Sequence, residues 1–274
     1  MQRRTFLISS AAALASASAV AHAAPSSELW GRWLAHDAGS GARIDHSAWD
    51  GLLSRHLSRA NDGISRFNYG SARNDRTALQ GYIGTLQTTA VSGLARPEQM
   101  AFWINLYNAV TVAVVLDHYP VSSIRDIGIS PGLFARGPWG AELTEVEGQA
   151  LTLDDIEHRI LRPIWKDPRI HYAVNCASIG CPNLAGKAFT SARLEGMLNA
   201  GAKAYVTHSR GVSVRNGRVT ASKIYDWFQE DFGGSEAGVL AHLRKHGAVG
   251  LGNANEIDDF AYDWALNDSA NRTG

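Results

Sequence analysis

The chain has 274 residues, with 26 basic side chains against 26 acidic ones, ten histidines, 45% hydrophobic and 19% charged residues. That size and composition suit one large domain with a real core. The even charge balance gives no electrostatic case for nucleic acid or an anionic membrane surface as partner.

The chain opens Met1-Gln2-Arg3-Arg4-Thr5-Phe6-Leu7-Ile8 and runs through an Ala/Ser/Leu/Val stretch to Ala21-His22-Ala23. A charged start, an apolar middle and a small-residue exit are the parts of a cleavable signal. The adjacent arginine pair matches the bacterial twin-arginine address. Its apolar run falls short of the roughly 18 to 20 residues that cross a bilayer, and no later segment is expected to cross one. The expectation is therefore a signal peptide over residues 1–23, export to the periplasm in the folded state, and one soluble domain over 24–274 with no internal repeat.

Apolar residues at steps of three and four predict amphipathic helices over 29–34 and 49–57, the second capped by Asp45 or Ser47. Residues 63–74, rich in Gly, Ser, Asn and Arg, read as loop, and a helix follows from Asp75. The most strongly specified element is a helix over 97–117, with Pro97 in its first turn, Glu98 near the positive end of the dipole and an almost unbroken apolar body. Such a body is buried nearly all round, so Asn105 and Asn108 within it must find hydrogen-bond partners; they form a network or a site. The stretch 118–150 reads as irregular, with Trp139 as an anchor. Thr152-Leu-Asp-Asp155 begins a short helix in the manner of a capping box, carrying Glu157, His158 and Arg162 and ending at Pro163. Residues 169–175 alternate as a strand, a turn runs from Cys176 to Pro182, and a helix covers about 191–206. A hairpin turns at Asn216-Gly217. The 222–232 segment reads as aromatic packing. Helix outweighs strand, giving an α+β fold, mainly helical with a small antiparallel sheet.

The sharpest local feature is His171-Tyr-Ala-Val-Asn-Cys-Ala-Ser-Ile-Gly-Cys181-Pro182, which holds the only two cysteines. In an oxidising compartment Cys176 and Cys181 invite pairing; inert thiols, a thiolate nucleophile and a metal site with His171 or His158 are the other readings. For metal, two thiols are too few and the C-x4-C spacing is loose. On a strand His171 and Cys176 face opposite ways, so the base for a nucleophilic Cys176 is more readily His158, flanked by Asp154 and Arg162 at helical spacing, unless that trio is only a surface ion pair. Ser178 lacks a G-x-S-x-G context, and the absence of H-x-x-x-H pairs argues against a zinc protease.

Phe102-Trp-Ile-Asn-Leu-Tyr-Asn-Ala109, Leu153-Asp-Asp-Ile-Glu-His-Arg-Ile-Leu-Arg162, the 171–182 block and Ser222-Lys-Ile-Tyr-Asp-Trp-Phe228 together resemble, in order and spacing, the signature blocks of the domain of unknown function 547 family. The resemblance spans most of 24–274 and singles out Asn105, Asn108, Glu157, His158, Arg162, His171, Asn175, Cys176 and Cys181. It implies no particular activity, substrate or cofactor. A second likeness is to the papain and transglutaminase-like architecture, where a nucleophile near the start of a buried helix meets a later histidine. Here Asn105 stands where that cysteine would be, so either such a site is inactive or Cys176 has taken over. Two readings follow. One is a hydrolase or acyl-transfer enzyme with Cys176 as nucleophile, His158 or His171 as base, Glu157 as orienter, and Asn105 or Asn175 stabilising charge on a small molecule or peptide. The other is a binding or scaffold domain in which the same residues form a buried network and the cysteines a staple.

Overall fold

The structure, a computed structural model, describes residues 26–133 and 135–271; the arginine-pair segment lies outside them. After a 3-10 turn at Gly31–Leu34 come α1 (Ser47–His56), the hairpin β1 (Leu57–Arg59) and β2 (Ser65–Phe67), short α2 (Tyr69–Ala72), α3 (Arg76–Gln87) and α4 (Arg96–His118). A second hairpin, β3 (Thr144–Val146) with β4 (Gln149–Leu151), precedes a π-helical stretch, Asp155–Leu161, that continues into α5 (Arg162–Trp165). Then follow α6 (Leu194–Val206), β5 (Val212–Arg215), β6 (Arg218–Ser222), α7 (Ile224–Trp227), α8 (Glu236–Lys245) and β7 (Asp259–Ala261). β5 and β6 pair antiparallel and β6 and β7 parallel, so the third sheet is mixed. The architecture is α+β, as its patterning predicts.

Every residue of α4 from Glu98 to Leu116 is buried. By length and apolarity α4 meets the requirement for crossing a membrane, contrary to the expectation that no later segment would, yet it is wholly enclosed by protein. Its neighbours are α3, α2 and the π-helical stretch. Trp33, Trp49 and Phe67 pack with Trp103 of α4 in one cluster, while a second joins Tyr205 of α6, Val212, Val219 and Ala221 of the third sheet, Tyr225 of α7, Phe232, and Val239 and Leu243 of α8.

Local chemistry explains several element ends. Asp45 accepts from the Ser47 N–H and hydroxyl at 2.8 and 3.0 Å ahead of α1, although His46 occupies the cap position itself. Thr152 and Asp155 exchange hydrogen bonds at 2.8 to 3.0 Å, as the capping-box spacing predicts. The hairpin turn has both Asn216 and Gly217 at positive φ (52° and 77°), the type I′ geometry that Asn-Gly favours.

Four expectations fail for identifiable reasons. The stretch 118–150 is not irregular throughout: it holds β3 and the start of β4, joined by a turn with Glu147 and Gly148 at φ 48° and 74°. Residues 63–74 are not a loop: Ser65–Phe67 pairs with β1, and the Asn68 side chain caps α2 by accepting from Ser71 N–H. Residues 169–175 are not a strand. Pro168–Tyr172 forms a 3-10 helix, opened by Asp167, whose side chain accepts from Arg169 N–H. Nor does Pro163 end its helix. In the widened turn Arg162 N–H bonds the Glu157 carbonyl, five residues back, and the two carbonyls thereby freed are taken from outside the helix. His158 O accepts from Glu28 N–H and Arg159 O from Trp30 N–H, both at 3.0 Å. The missing N–H of Pro163 thus leaves no carbonyl unpaired, and the helix runs on until Lys166 enters the left-handed region at φ 52°.

Candidate functional site

Two clusters collect the candidate residues. The first is a buried charged network on the π-helical stretch and the 3-10 helix after it. Asp231, which follows α7, places Oδ2 at 2.5 Å from Arg162 Nε and 2.7 Å from His171 Nε2. The other His171 nitrogen lies 3.4 Å from Glu157 Oε1. Phe228 stacks on the His171 ring at 4.2 Å and also receives the Arg162 guanidinium at 4.9 Å. With a carboxylate beside each ring nitrogen, the imidazolium form of His171 is favoured. Burial pulls its pKa down, but the bonds to Asp231 and Glu157 outweigh this and raise it. Burial likewise pushes Glu157 and Asp231 up, yet the cations around them hold both carboxyls at about 2.

His158 is held differently. Arg162 Nη1 reaches its Nδ1 at 3.1 Å; a guanidinium only donates, so Nδ1 carries no proton and the ring proton sits on Nε2, facing Asp154 Oδ1 at 3.7 Å. Burial depresses the His158 pKa to about 4 and, with the Glu157 charge, raises that of Asp154 to about 6. The pair is a neutral imidazole next to a half-exposed carboxyl.

These shifts set the pH dependence of stability. Glu157 and Asp231 have depressed folded pKa values, so their contribution is present above the ordinary carboxylate range and lost as pH falls toward 2. His158 loses stability from its ordinary 6.5 down to about 4, while Asp154 gains over an overlapping window, so those two largely offset. His242, which burial depresses to about 4, loses stability over the same window without such an offset, so the urea midpoint should begin to fall below about pH 6.5 and fall most steeply below about pH 4.5, where Asp231→Asn should flatten it. Equal slopes in the two proteins would remove Asp231 from the account.

The second cluster is built on the turn from Asn175 to Pro182. Asn175 Oδ1 accepts from Ala177 N–H at 2.9 Å, an Asx turn around Cys176, while its Nδ2 donates to Pro182 O at 2.7 Å. Ala177 is thereby held at φ 58° although it has a side chain and is fully buried. Strain of this kind in a fixed turn is characteristic of functional positions. The turn docks on the segment after β7 through Ile179 N–H to Ala265 O and Gly180 N–H to Asp263 O, both 2.8 Å. Gly180 is required there, because a Cβ would sit 2.7 Å from Asp263 N and 2.9 Å from the Tyr262 ring.

That docking sets Cys176 Sγ 3.1 Å from the Tyr262 hydroxyl and 3.2 Å from the Ser178 hydroxyl, which are themselves 3.0 Å apart. Cys181 Sγ accepts from Cys176 N–H at 3.1 Å. Both thiols are free. Hydrogen bonds from Cys181, Ser178 and Tyr262 lower the Cys176 pKa against the cost of burial, whereas burial raises that of Cys181. Cys176 is part-buried, and beside it Trp227, Tyr262 and Trp264 pack together at 4.7 to 5.5 Å, with Trp139 joining Trp264 at 5.8 Å. All four aromatic residues are only partly buried.

Residues 91–206 match the model of the family described as Protein of unknown function, DUF547. The chain carries a domain of that family. No curated protein and no solved structure matches it. All nine residues singled out from the sequence lie inside the DUF547 segment, but Asp231 and Tyr262, which complete the two clusters, lie beyond it.

The structure gathers Glu157, His158, Arg162 and His171 in the first cluster and Asn175, Cys176 and Cys181 in the second. Asn105 and Asn108 belong to neither as ligands. Each clamps backbone: Asn105 spans the N–H and C=O of Phe189 at 3.0 and 2.8 Å, and Asn108 donates to Ala173 O at 2.9 Å while accepting from Asn175 N–H at 2.8 Å. No imidazole bonds Cys176 among the described residues; its polar neighbours are hydroxyls and the second thiol. No three His, Cys, Asp or Glu side chains among the described residues converge on a metal position. A cavity of about 400 Å³ lined by Trp165, Lys166, Asp167, Arg169, Lys245 and His246 includes none of these groups.

Sequence reasoning passed over Asp231 and Tyr262. Asp231 stands in a segment read as aromatic packing and is one of three acids there, with Asp226 and Glu230, so nothing local sets it apart. Tyr262 offers no local signal, since its role exists only through the docking of 263–265 on the turn.

Proposed function

We propose that the chain is a thiol-dependent enzyme, a hydrolase or acyl-transfer catalyst that acts through Cys176 on a small molecule or peptide after export to the periplasm. The observation that carries this reading is the Cys176 sulfur, on a part-buried residue, held by two hydroxyls at 3.1 and 3.2 Å on a turn with a strained next residue. Hydrogen bonds to a sulfur favour its thiolate, the nucleophilic form. In the proposed step the thiolate attacks an acyl carbon, the carbon–sulfur bond forms, and the leaving group departs with the Tyr262 hydroxyl proton. Water then hydrolyses the thioester and restores both groups. The partly exposed aromatic face of Trp139, Trp227 and Trp264 supports a bound group laid flat beside the sulfur. Export rests on the Arg3-Arg4 signal pattern alone.

The test is alkylation of Cys176 by iodoacetamide as a function of pH. The expected midpoint lies below that of an ordinary thiol. In Tyr262→Phe it should move up by about one unit, the loss of one hydrogen bond to the charged sulfur, about 1.4 kcal/mol. A wild-type midpoint at the ordinary value, unmoved in Tyr262→Phe, overturns the reading.

A second reading, a binding or scaffold domain, draws support from the complete commitment of Asn105, Asn108, Asn175 and His171 to partners inside the protein. It predicts that Cys176→Ala with Cys181→Ala lowers the melting temperature but leaves ligand binding intact.

A further inference from the structure

Cys176 does not act beside its hydroxyls alone. Cys181, only 5% exposed, closes the same turn: its N–H bonds Ser178 O at 3.2 Å and its sulfur accepts from Cys176 N–H at 3.1 Å. The Cys181 thiol also points toward Val174 O at 3.8 Å and shares a hydrogen bond with the Cys176 sulfur. The turn that sets this spacing is closed from within by Asn175 and fixed from outside by Tyr205, whose hydroxyl donates to Gly180 O at 2.6 Å, and by Arg210, which donates to Ile179 O at 2.9 Å. A part-buried cysteine with a second one fully enclosed against it is the arrangement in which the first sulfur meets a substrate and the second displaces it.

We propose that Cys176 and Cys181 form a working dithiol that exchanges with a small aliphatic disulfide, Cys176 attacking and Cys181 resolving. In the first step the Cys176 thiolate, its proton already lost to solvent, attacks one sulfur of R–S–S–R. A Cys176–S–R bond forms, the substrate S–S bond breaks, and RS⁻ leaves and takes up a proton. In the second step Cys181 attacks Cys176 Sγ, the Cys176–Cys181 bond forms, and the second R–SH departs with the Cys181 proton. The substrate disulfide is reduced by two electrons and the thiol pair is oxidised by two, so no further oxidant is needed. Exchange of this kind proceeds by thiolate attack through a mixed disulfide. Closure of the bridge would also withdraw Cys176 from acyl chemistry, which ties the proposed activity to the thiol balance of its compartment. The inference rests on the reactivity of Cys176 proposed above.

The experiment treats the full-length protein, first reduced with dithiothreitol and desalted, with oxidised glutathione and follows intact mass and peptide maps. The wild type should lose two hydrogens with no lasting glutathione adduct, and Cys181→Ala should accumulate one adduct, on Cys176, that dithiothreitol removes. A lasting adduct in the wild type would show that Cys181 does not resolve, overturning the dithiol while Cys176 remains a reactive thiol. No reaction in either protein would overturn the dithiol and the thiol-enzyme reading together. A bridge in the folded wild type that dithiothreitol does not open would make the pair a structural staple, which also overturns it. Should Cys181→Ala fail to fold, the wild-type arm alone still separates bridge from adduct.

Discussion

Asp231→Ala should be among the most destabilising single substitutions in this protein, costing roughly 3 to 5 kcal/mol, the range found when one member of a buried ion pair is removed. Asp231 Oδ2 is bonded by both Arg162 and His171, whose side chains are 3% and 2% exposed. Neither cation can turn to water once that carboxylate is gone, and His171, left with Glu157 at 3.4 Å, loses the closer of its two partners. Its raised pKa should then drop as burial prevails. Asp117→Ala serves as control: it breaks a 2.7 Å pair with Arg76 whose side chains are 54% and 35% exposed, and should leave the urea midpoint almost unchanged. Urea unfolding of both variants reads the difference directly. Near-equal losses would mean that the network is not held together by its charges.

Asn108→Ala should cost nearly as much, because it strips partners from two buried backbone groups at once, Ala173 O and Asn175 N–H. Each unpaired group costs roughly 1 to 3 kcal/mol. Its second effect concerns the thiol. Asn108 holds the segment that leads into the Asx turn, so the positions of Cys176, Ser178 and Tyr262 depend on it. Alkylation of Cys176 should therefore lose its low-pH midpoint in Asn108→Ala. Asn105→Ala, which frees the backbone of Phe189 and removes the 3.3 Å bond to His46 Nε2, should lower stability by a comparable amount and leave the thiol midpoint where it is. If the two variants alter the thiol alike, the helix α4 amides do not divide into separate roles.

Much of this protein could be read from one dimension. Pro97 and the apolar run behind it specify α4, Asn216-Gly217 specifies the hairpin, and Thr152 with Asp155 opens the helix carrying Glu157, His158 and Arg162, because each of these signals acts through backbone groups within a few residues. The obligation of Asn105 and Asn108 to find partners was equally legible, since an amide on an all-buried helix has no access to water. What those amides bond was not. The expected strand at 169–175 is overridden by Pro168 and the Asp167 cap, which turn the chain into a 3-10 helix, and with it goes the argument that set His171 against Cys176 by strand alternation. The passage of the helix through Pro163 depends on Glu28 and Trp30, more than a hundred residues earlier in the chain. Residue types and local spacing thus determined which side chains must be satisfied or are capable of chemistry. Only the tertiary structure decided which of them meet: Asp231 crosses 60 residues to reach His171 and Tyr262 crosses 86 to reach Cys176, contacts made by packing between elements, for which no periodicity within an element carries a signal.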